Sequence, residues 1–155
     1  MESDKVILAK LEVLKHIHLV RKYLMDMIEE LDKRAREHDL SKLESPEKET
    51  FGEYTEELSK TKYGTPEYSE LLKKVQPAID HHYAKNRHHP EHWPNGVNDM
   101  NLLDLVEMLC DWKAATERVK DGNIRYSIKV NSGRFKMSEQ LTKIFENTVR
   151  EMFKS

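Results

Sequence analysis

His38 and Asp39 stand side by side in the run Glu37-His38-Asp39-Leu40-Ser41-Lys42. An imidazole nitrogen and a carboxylate oxygen at the end of one predicted helix can ligate the same divalent ion. The pair suits Zn, Mn, Fe or Ni, and carboxylate alone suits Mg. Such a doublet arises by chance in many chains, so its meaning depends on its company. The chain has eight histidines, and five of them fall within twelve residues: His81, His82, His88, His89 and His92. A late apolar helix adds Asp104 and Asp111, seven residues apart and hence on one face, with Glu107 between them. A carboxylate on a buried helix is costly unless paired or metal-bound, and nothing basic lies on that helix before Lys113. Either this acidic stripe faces His38 and Asp39 across a metal, or it faces solvent and the ends of neighbouring helices.

The histidine segment admits several uses. It can be a pH-responsive patch, a second ligand set, or a source of general acids and phosphate-binding groups beside a first metal. Adjacent residues on a helix point about 100° apart, so at most one of His81 and His82 and one of His88 and His89 is assigned as a ligand. The chain has no Gly-rich phosphate loop, no Cys-x-x-Cys and no nucleophile elbow. Cys110 sits in an apolar run and is expected to be buried and inert.

Positioning these groups falls to helices. Val13, Ile17, Val20, Leu24, Met27, Leu31 and Ala35 recur at spacings of three and four, predicting one long helix, or two nearly in line, over 5–37 with a core stripe. On this phase His16 lies roughly 65° from the stripe centre and His18 about twice as far round. Ser45, Pro46, Glu47 and Glu49 predict a helix start with Ser45 as cap, and Thr65-Pro66-Glu67 predict another. Pro77 is expected to kink or restart that second helix. Residues 85–99 read as a functional loop whose Trp93 needs a dry wall and a partner for its N–H. Residues 101–119, apolar nearly all round, read as a central buried helix. The stretch 123–135 fits a strand or a helix, and helix is favoured because no partner strand exists; Ser138 caps a last helix. The expectation is an all-α fold, a single-domain helical bundle of about six helices spanning 1–155.

The length of 155 residues suits one domain with a real core. Charged residues make up 35% but leave a formal net charge of −2, so no electrostatic footprint for nucleic acid is present. An anionic substrate must therefore meet a local cluster of cations or a metal. The one cysteine offers no disulfide framework. No apolar run is long enough to span a membrane, and the N-terminus lacks a secretory pattern. A cytoplasmic protein is expected, with homo-oligomerisation left open.

The order of these motifs resembles the HD-domain superfamily of metal-dependent phosphohydrolases. That all-α fold holds its metal with a His on an early helix, a His-Asp doublet ending the next, and an Asp on a later helix. His38-Asp39-Leu40-Ser41-Lys42 is similar to its His-Asp-x-Gly-Lys run, with Ser41 in place of the Gly. His16, rather than His18, matches the early His, and Asp111 or Asp104 matches the late Asp. The further histidines are similar to those of subgroups that bind two metals. More closely, HDLSKLESPE, HHPEHWPNG and MNLLDLVEMLCDWKAA look like a family of small uncharacterised phage and bacterial proteins, whose phage members would act in the host cytoplasm.

The resemblance implies a phosphoester hydrolase with one or two divalent ions (Mn, Fe, Ni, Zn or Mg) and a small phosphorylated substrate, a nucleotide above all. The metal ligands would come from His16, His38, Asp39, His82, His89, Asp104 and Asp111. Lys42, Lys85, Arg87 and Trp93 would meet the substrate. His82, His88, His89 and Lys42 would serve catalysis. Two other readings stand beside it: a di-iron oxygenase, and a non-catalytic helical interaction protein.

Overall fold

The computed structural model describes residues 3–62 and 65–153. Its described residues form six α-helices joined by turns and three short 3₁₀ turns, with no strand among them, so the fold is all-α. No helix among the described residues is long and apolar enough to cross a membrane. The chain divides into two compact units, Met1–Glu37 and His38–Ser155.

The first unit is one helix, α1 (Asp4–Glu37). Its 34 residues make a rod of about 51 Å at 1.5 Å per residue. Ion pairs one turn apart lie along its surface, among them Lys15–Glu12 at 2.7 Å and Arg34–Glu30 at 2.9 Å. The expected core stripe forms on the helix, yet no residue of α1 is buried. The physical reason is that periodicity reports which face is apolar and is silent on what covers it.

The second unit carries the remaining helices: α2 (Glu47–Lys60), α3 (Pro66–Lys85), α4 (Leu102–Glu117), α5 (Ile124–Arg134) and α6 (Glu139–Met152). Four of their five starts follow from side-chain caps, that of α4 from Asn101, which accepts from the amides of Leu103 and Asp104. Thr65 accepts from the Tyr68 amide, Asn123 from those of Arg125 and Tyr126, and Ser138 from that of Leu141. The cap of α2 departs from expectation: Pro46 takes that position, with no side-chain bond, in place of Ser45. Nor does Pro77 interrupt α3, which runs unbroken from Pro66 to Lys85. Proline removes only one intrahelical donor there, and its neighbours Val75 and Ala78 are fully buried and hold the segment in place.

The core of this unit gathers Met108, Leu109 and Trp112 of α4, Ile128 of α5, and Phe145 and Val149 of α6, together with Val97 and Met100 from the preceding loop. Trp112 stacks on Phe135 at 6.1 Å and meets the edge of Phe145 at 5.9 Å. A second buried row, Leu71, Val75 and Ala78, lies on α3, which pairs with α2. The helix α4 is amphipathic and not buried all round: Leu102 is 61% exposed, and Cys110 is exposed as well. An apolar composition made every face look alike, whereas only the Met108–Leu109–Trp112 face meets α5 and α6. The loop before α4 is ordered by 3₁₀ turns at Pro90–His92 and Gly96–Asn98. His92 donates from Nδ1 to the Tyr83 carbonyl at 2.9 Å, and Trp93 donates from Nε1 to that of Arg87 at 2.9 Å. The indole thus finds the partner and the apolar wall that its burial requires.

Candidate metal centre

The groups that could do chemistry meet inside the second unit. Asp39 opens it in a left-handed backbone conformation, with φ of 57°, and leads into the 3₁₀ turn Leu40–Leu43. His81 and His82 arrive from the last turn of α3, His88 and His89 from the loop beyond it, and Glu107 and Asp111 from successive turns of α4.

One set of donors comprises Asp39, His82, His88 and His89, whose ligand atoms all lie within 4.8 Å of one another. Asp39 Oδ1 stands 3.4 Å from His82 Nε2 and 3.5 Å from His88 Nε2. His82 Nε2 stands 2.9 Å from His89 Nε2. Four ligands at about 2.0–2.2 Å around one ion place neighbouring donors roughly 3.3–3.6 Å apart in a tetrahedron. Two of these atoms, Asp39 Oδ1 and His88 Nε2, are buried with no hydrogen-bond partner. Burying such atoms unpaired is costly, and a shared cation would satisfy both. A second set, His38, Asp39 and Asp111, uses the other oxygen of the same carboxylate: His38 Nε2 lies 3.6 Å from Asp39 Oδ2 and 3.8 Å from Asp111 Oδ1. Asp39 therefore faces both sets, and Lys42 Nζ donates to its Oδ2 at 2.6 Å.

Behind the histidines stand carboxylates. Glu47, fully buried, accepts from His81 Nδ1 at 2.7 Å and from His82 Nδ1 at 2.8 Å, one on each oxygen. Glu107 Oε1 lies 3.0 Å from His38 Nδ1 and 3.1 Å from His88 Nδ1. An ionised carboxylate can only accept, so each of these Nδ1 atoms carries the proton. The Nε2 lone pairs of His82 and His88 are left directed at the cluster, an orientation that metal-binding histidines characteristically receive from such partners. Asn86 Nδ2 adds bonds to Ser41 Oγ and to the His82 carbonyl, each at 2.8 Å, tying the turn after Asp39 to the end of α3.

The electrostatics separate the two sets. Burial pushes the His82 imidazolium down, and burial with the charges of His88 and His82 pulls His89 to about 3. These rings are neutral donors at physiological pH. His38 is raised to about 10, first by the Asp111 carboxylate 3.8 Å away and then by its hydrogen bond to Glu107. Burial pushes the Glu107 carboxyl upward, but bonds from His38 and His88 outweigh this and bring it to about 2. Asp39 and Asp111 are likewise lowered against the effect of burial, Asp39 by Lys42 and Asp111 by His38.

Not every candidate residue joins these sets. Asp104 is fully buried at the start of α4, where its Oδ2 accepts from the Asn101 amide at 2.9 Å and Asn101 caps in return. Arg87 pairs with Asp104 at 3.2 Å and lies over the Trp93 ring at 4.6 Å, so both substrate candidates brace the loop against α4. Of the two late Asp residues, Asp111 is the one within a donor set. Lys85 ends α3, exposed. His16 and His18 are exposed on α1 and enter none of the donor sets found among the described residues. The limit of one ligand from each adjacent pair rested on helical geometry; His88 and His89 lie outside any helix, and both belong to the first set.

Glu47 escaped the sequence reading because an acid in a helix's first turn already has a dipole to explain it. Glu107 stood in the acidic stripe but carried no assigned role. Its spacing of four from Asp111, which puts both on one face of α4, was the available signal.

The second unit is thus a helical scaffold that brings histidines and carboxylates together in the manner of a metal centre. Over residues 7–153 the chain matches a family described as a family of unknown function (DUF5662), and it belongs to that family. No curated protein and no solved structure matches it.

Proposed function

We propose that this chain is a metal-dependent phosphohydrolase acting on a nucleotide or a related phosphoester. The observation that carries the reading is the Asp39 carboxylate, which turns one oxygen toward His82 and His88 and the other toward His38, with Lys42 bonded to the second. Asp39, His82, His88 and His89 would hold one divalent ion; His38, Asp39 and Asp111 would hold another. Such ions supply Lewis acidity to a phosphoryl oxygen and make water a stronger acid near neutral pH. In this reading His82, His88 and His89 act as ligands and not as general acids, because their Nε2 atoms point into the cluster. Lys42 offsets the charge of Asp39 and, being partly exposed, would be a cation beside the cluster for a phosphate. Arg87, already paired with Asp104, holds the wall formed by the loop. Of the HD-like order, the His38-Asp39 doublet and the later Asp111 support the same reaction class, while the early His16 stands outside the donor sets.

A shared carboxylate among histidines also favours a second reading, a di-iron oxygenase. Elemental analysis of untagged protein, followed by a phosphatase screen with Mn, Mg, Ni and Zn, decides between them. Metal-dependent phosphate release is the expected result. Two irons per chain with O₂ consumption would replace the hydrolase with the oxygenase. A chain that takes up no metal under any of these conditions would overturn both and leave a helical interaction protein.

A further inference from the structure

One oxygen of Glu107 meets a histidine from each side of the centre. Its Oε1 lies 3.0 Å from Nδ1 of His38 and 3.1 Å from Nδ1 of His88, and the two rings are neighbours, 4.4 Å between centroids with their planes tilted by 40°. His38 belongs to the set with Asp39 and Asp111, and His88 to the set with Asp39, His82 and His89; a third group, His38, His88 and Glu107, spans the two, with Glu107 facing both rings on their Nδ1 side. Asp39 joins the same two sets from the front through its two oxygens, and Glu107 joins them from behind. His88 is almost wholly buried, and its Nε2 has no hydrogen-bond partner, so the bond to Glu107 is what fixes the ring's tautomer and direction. We propose that Glu107 is a positioning residue that holds one ligand of each of two metal positions, so that both positions depend on this single carboxylate. The proposal rests on the metal-binding reading above and extends it to the relation between the two positions.

The oxygen and not the charge is the essential part of the geometry. An amide oxygen has two lone pairs and can accept from both Nδ1–H groups at once, so Glu107→Gln keeps both rings directed. Glu107→Ala frees both. Loss of an outer partner of this kind typically weakens metal binding about 10–100-fold. The ligands of one position only, by contrast, affect that position alone, and Asp111 is such a ligand.

The experiment titrates the full chain and its variants with Co(II), following both the number of ions bound and the visible absorption of each. Wild type is expected to bind two ions. Asp111→Asn should weaken one of them, Glu107→Ala should weaken both by about 10–100-fold, and Glu107→Gln should stay within roughly tenfold of wild type at both. Circular dichroism and thermal melting of each variant separate a misfolded chain from a disoriented ligand, and Glu107→Gln keeps the test decisive if Glu107→Ala does not fold. Loss of a single ion in Glu107→Ala, or both affinities unchanged in it, overturns the coupling while the metal site stands. A Gln variant that folds but binds as poorly as Ala overturns the role assigned to the oxygen. A wild-type chain that binds no Co(II) overturns the metal reading and this proposal with it.

Discussion

Replacing Glu47 by Ala removes a fully buried carboxylate that accepts from two histidines, at 2.7 Å from His81 and 2.8 Å from His82. Hydrogen bonds to a charged group contribute about 1.5–3 kcal/mol each. Two of them give roughly 3–6 kcal/mol, and the buried Nδ1–H of His82, left with only the Ser41 hydroxyl at 3.4 Å, adds about 1 kcal/mol of penalty. Against this, the alanine no longer carries the desolvation cost of a buried ion, which is several kcal/mol. The net destabilisation is therefore about 2–4 kcal/mol. At roughly 4 °C per kcal/mol for a chain of this size, the Tm falls by about 8–16 °C. The measurement is a thermal melt in excess chelator, so that no ion contributes to the difference. Glu47→Gln can accept from only one histidine, and His81, which is partly exposed, can change tautomer to meet the amide N–H. That variant loses about 1–2 kcal/mol. The carboxyl of Glu47 is pushed up by burial but lowered more by its bonds to His81, Ser41 and His82. A lowered carboxylate stabilises the fold above its ordinary pKa of about 4.3 and ceases to as pH falls through the lowered value. The gap between wild type and Glu47→Ala therefore narrows below about pH 4. A Glu47→Ala chain melting within about 2 °C of wild type at pH 7 would refute the reasoning.

Other perturbations read other parts of the molecule. Ile128, fully buried between α4 and α6, should cost about 2–5 kcal/mol when cut to Ala; urea unfolding checks this, and a loss under 1 kcal/mol would contradict the core described. A divalent ion at about 100 times its Kd should add about 2.7 kcal/mol and raise the Tm by roughly 10 °C. Asp39→Asn should abolish that rise, and an undiminished shift would remove Asp39 from the centre. Although Cys110 is exposed as a residue, its thiol is partly desolvated against the helix surface, which pushes it up, and the charge of Glu107 adds to this. Iodoacetamide at pH 7 should therefore label it more slowly than a free thiol of pKa about 8.5, and equal rates would show that its surroundings leave it unperturbed.

Much of the local architecture was legible in the residues. Thr65, Ser138 and the acid-rich starts announced helices because a cap is a local bond between near neighbours, and local bonds leave local patterns. The stretch 123–135 resolved as helix α5 by elimination, since a strand needs a partner. Which face of a helix is covered is a different kind of fact. Val13, Ile17 and Leu24 recur as a core stripe should, and none is buried; the all-round apolar α4 leaves Cys110 exposed. At the centre, His38, Asp39 and Asp111 stood out by type and order. Glu47 did not, because its inward turn depends on histidines 34 and 35 residues away. The choice between Asp104 and Asp111 likewise depended on Arg87, a partner from another element that no spacing along α4 reveals.

Asp39 holds its carboxylate between the two donor sets on a backbone with φ of 57°, a conformation that favours Gly and Asn over most residues. Folding and chemistry therefore pull this position in different directions. Asp39→Gly relaxes the backbone and deletes the donor, and Asp39→Asn suits the backbone while surrendering the charge. A library randomised at position 39 and sorted only for resistance to proteolysis should enrich Gly and Asn. The same library sorted for metal uptake should return Asp, so the outcome of selection at one residue reports whether this family is maintained for its stability or for its centre.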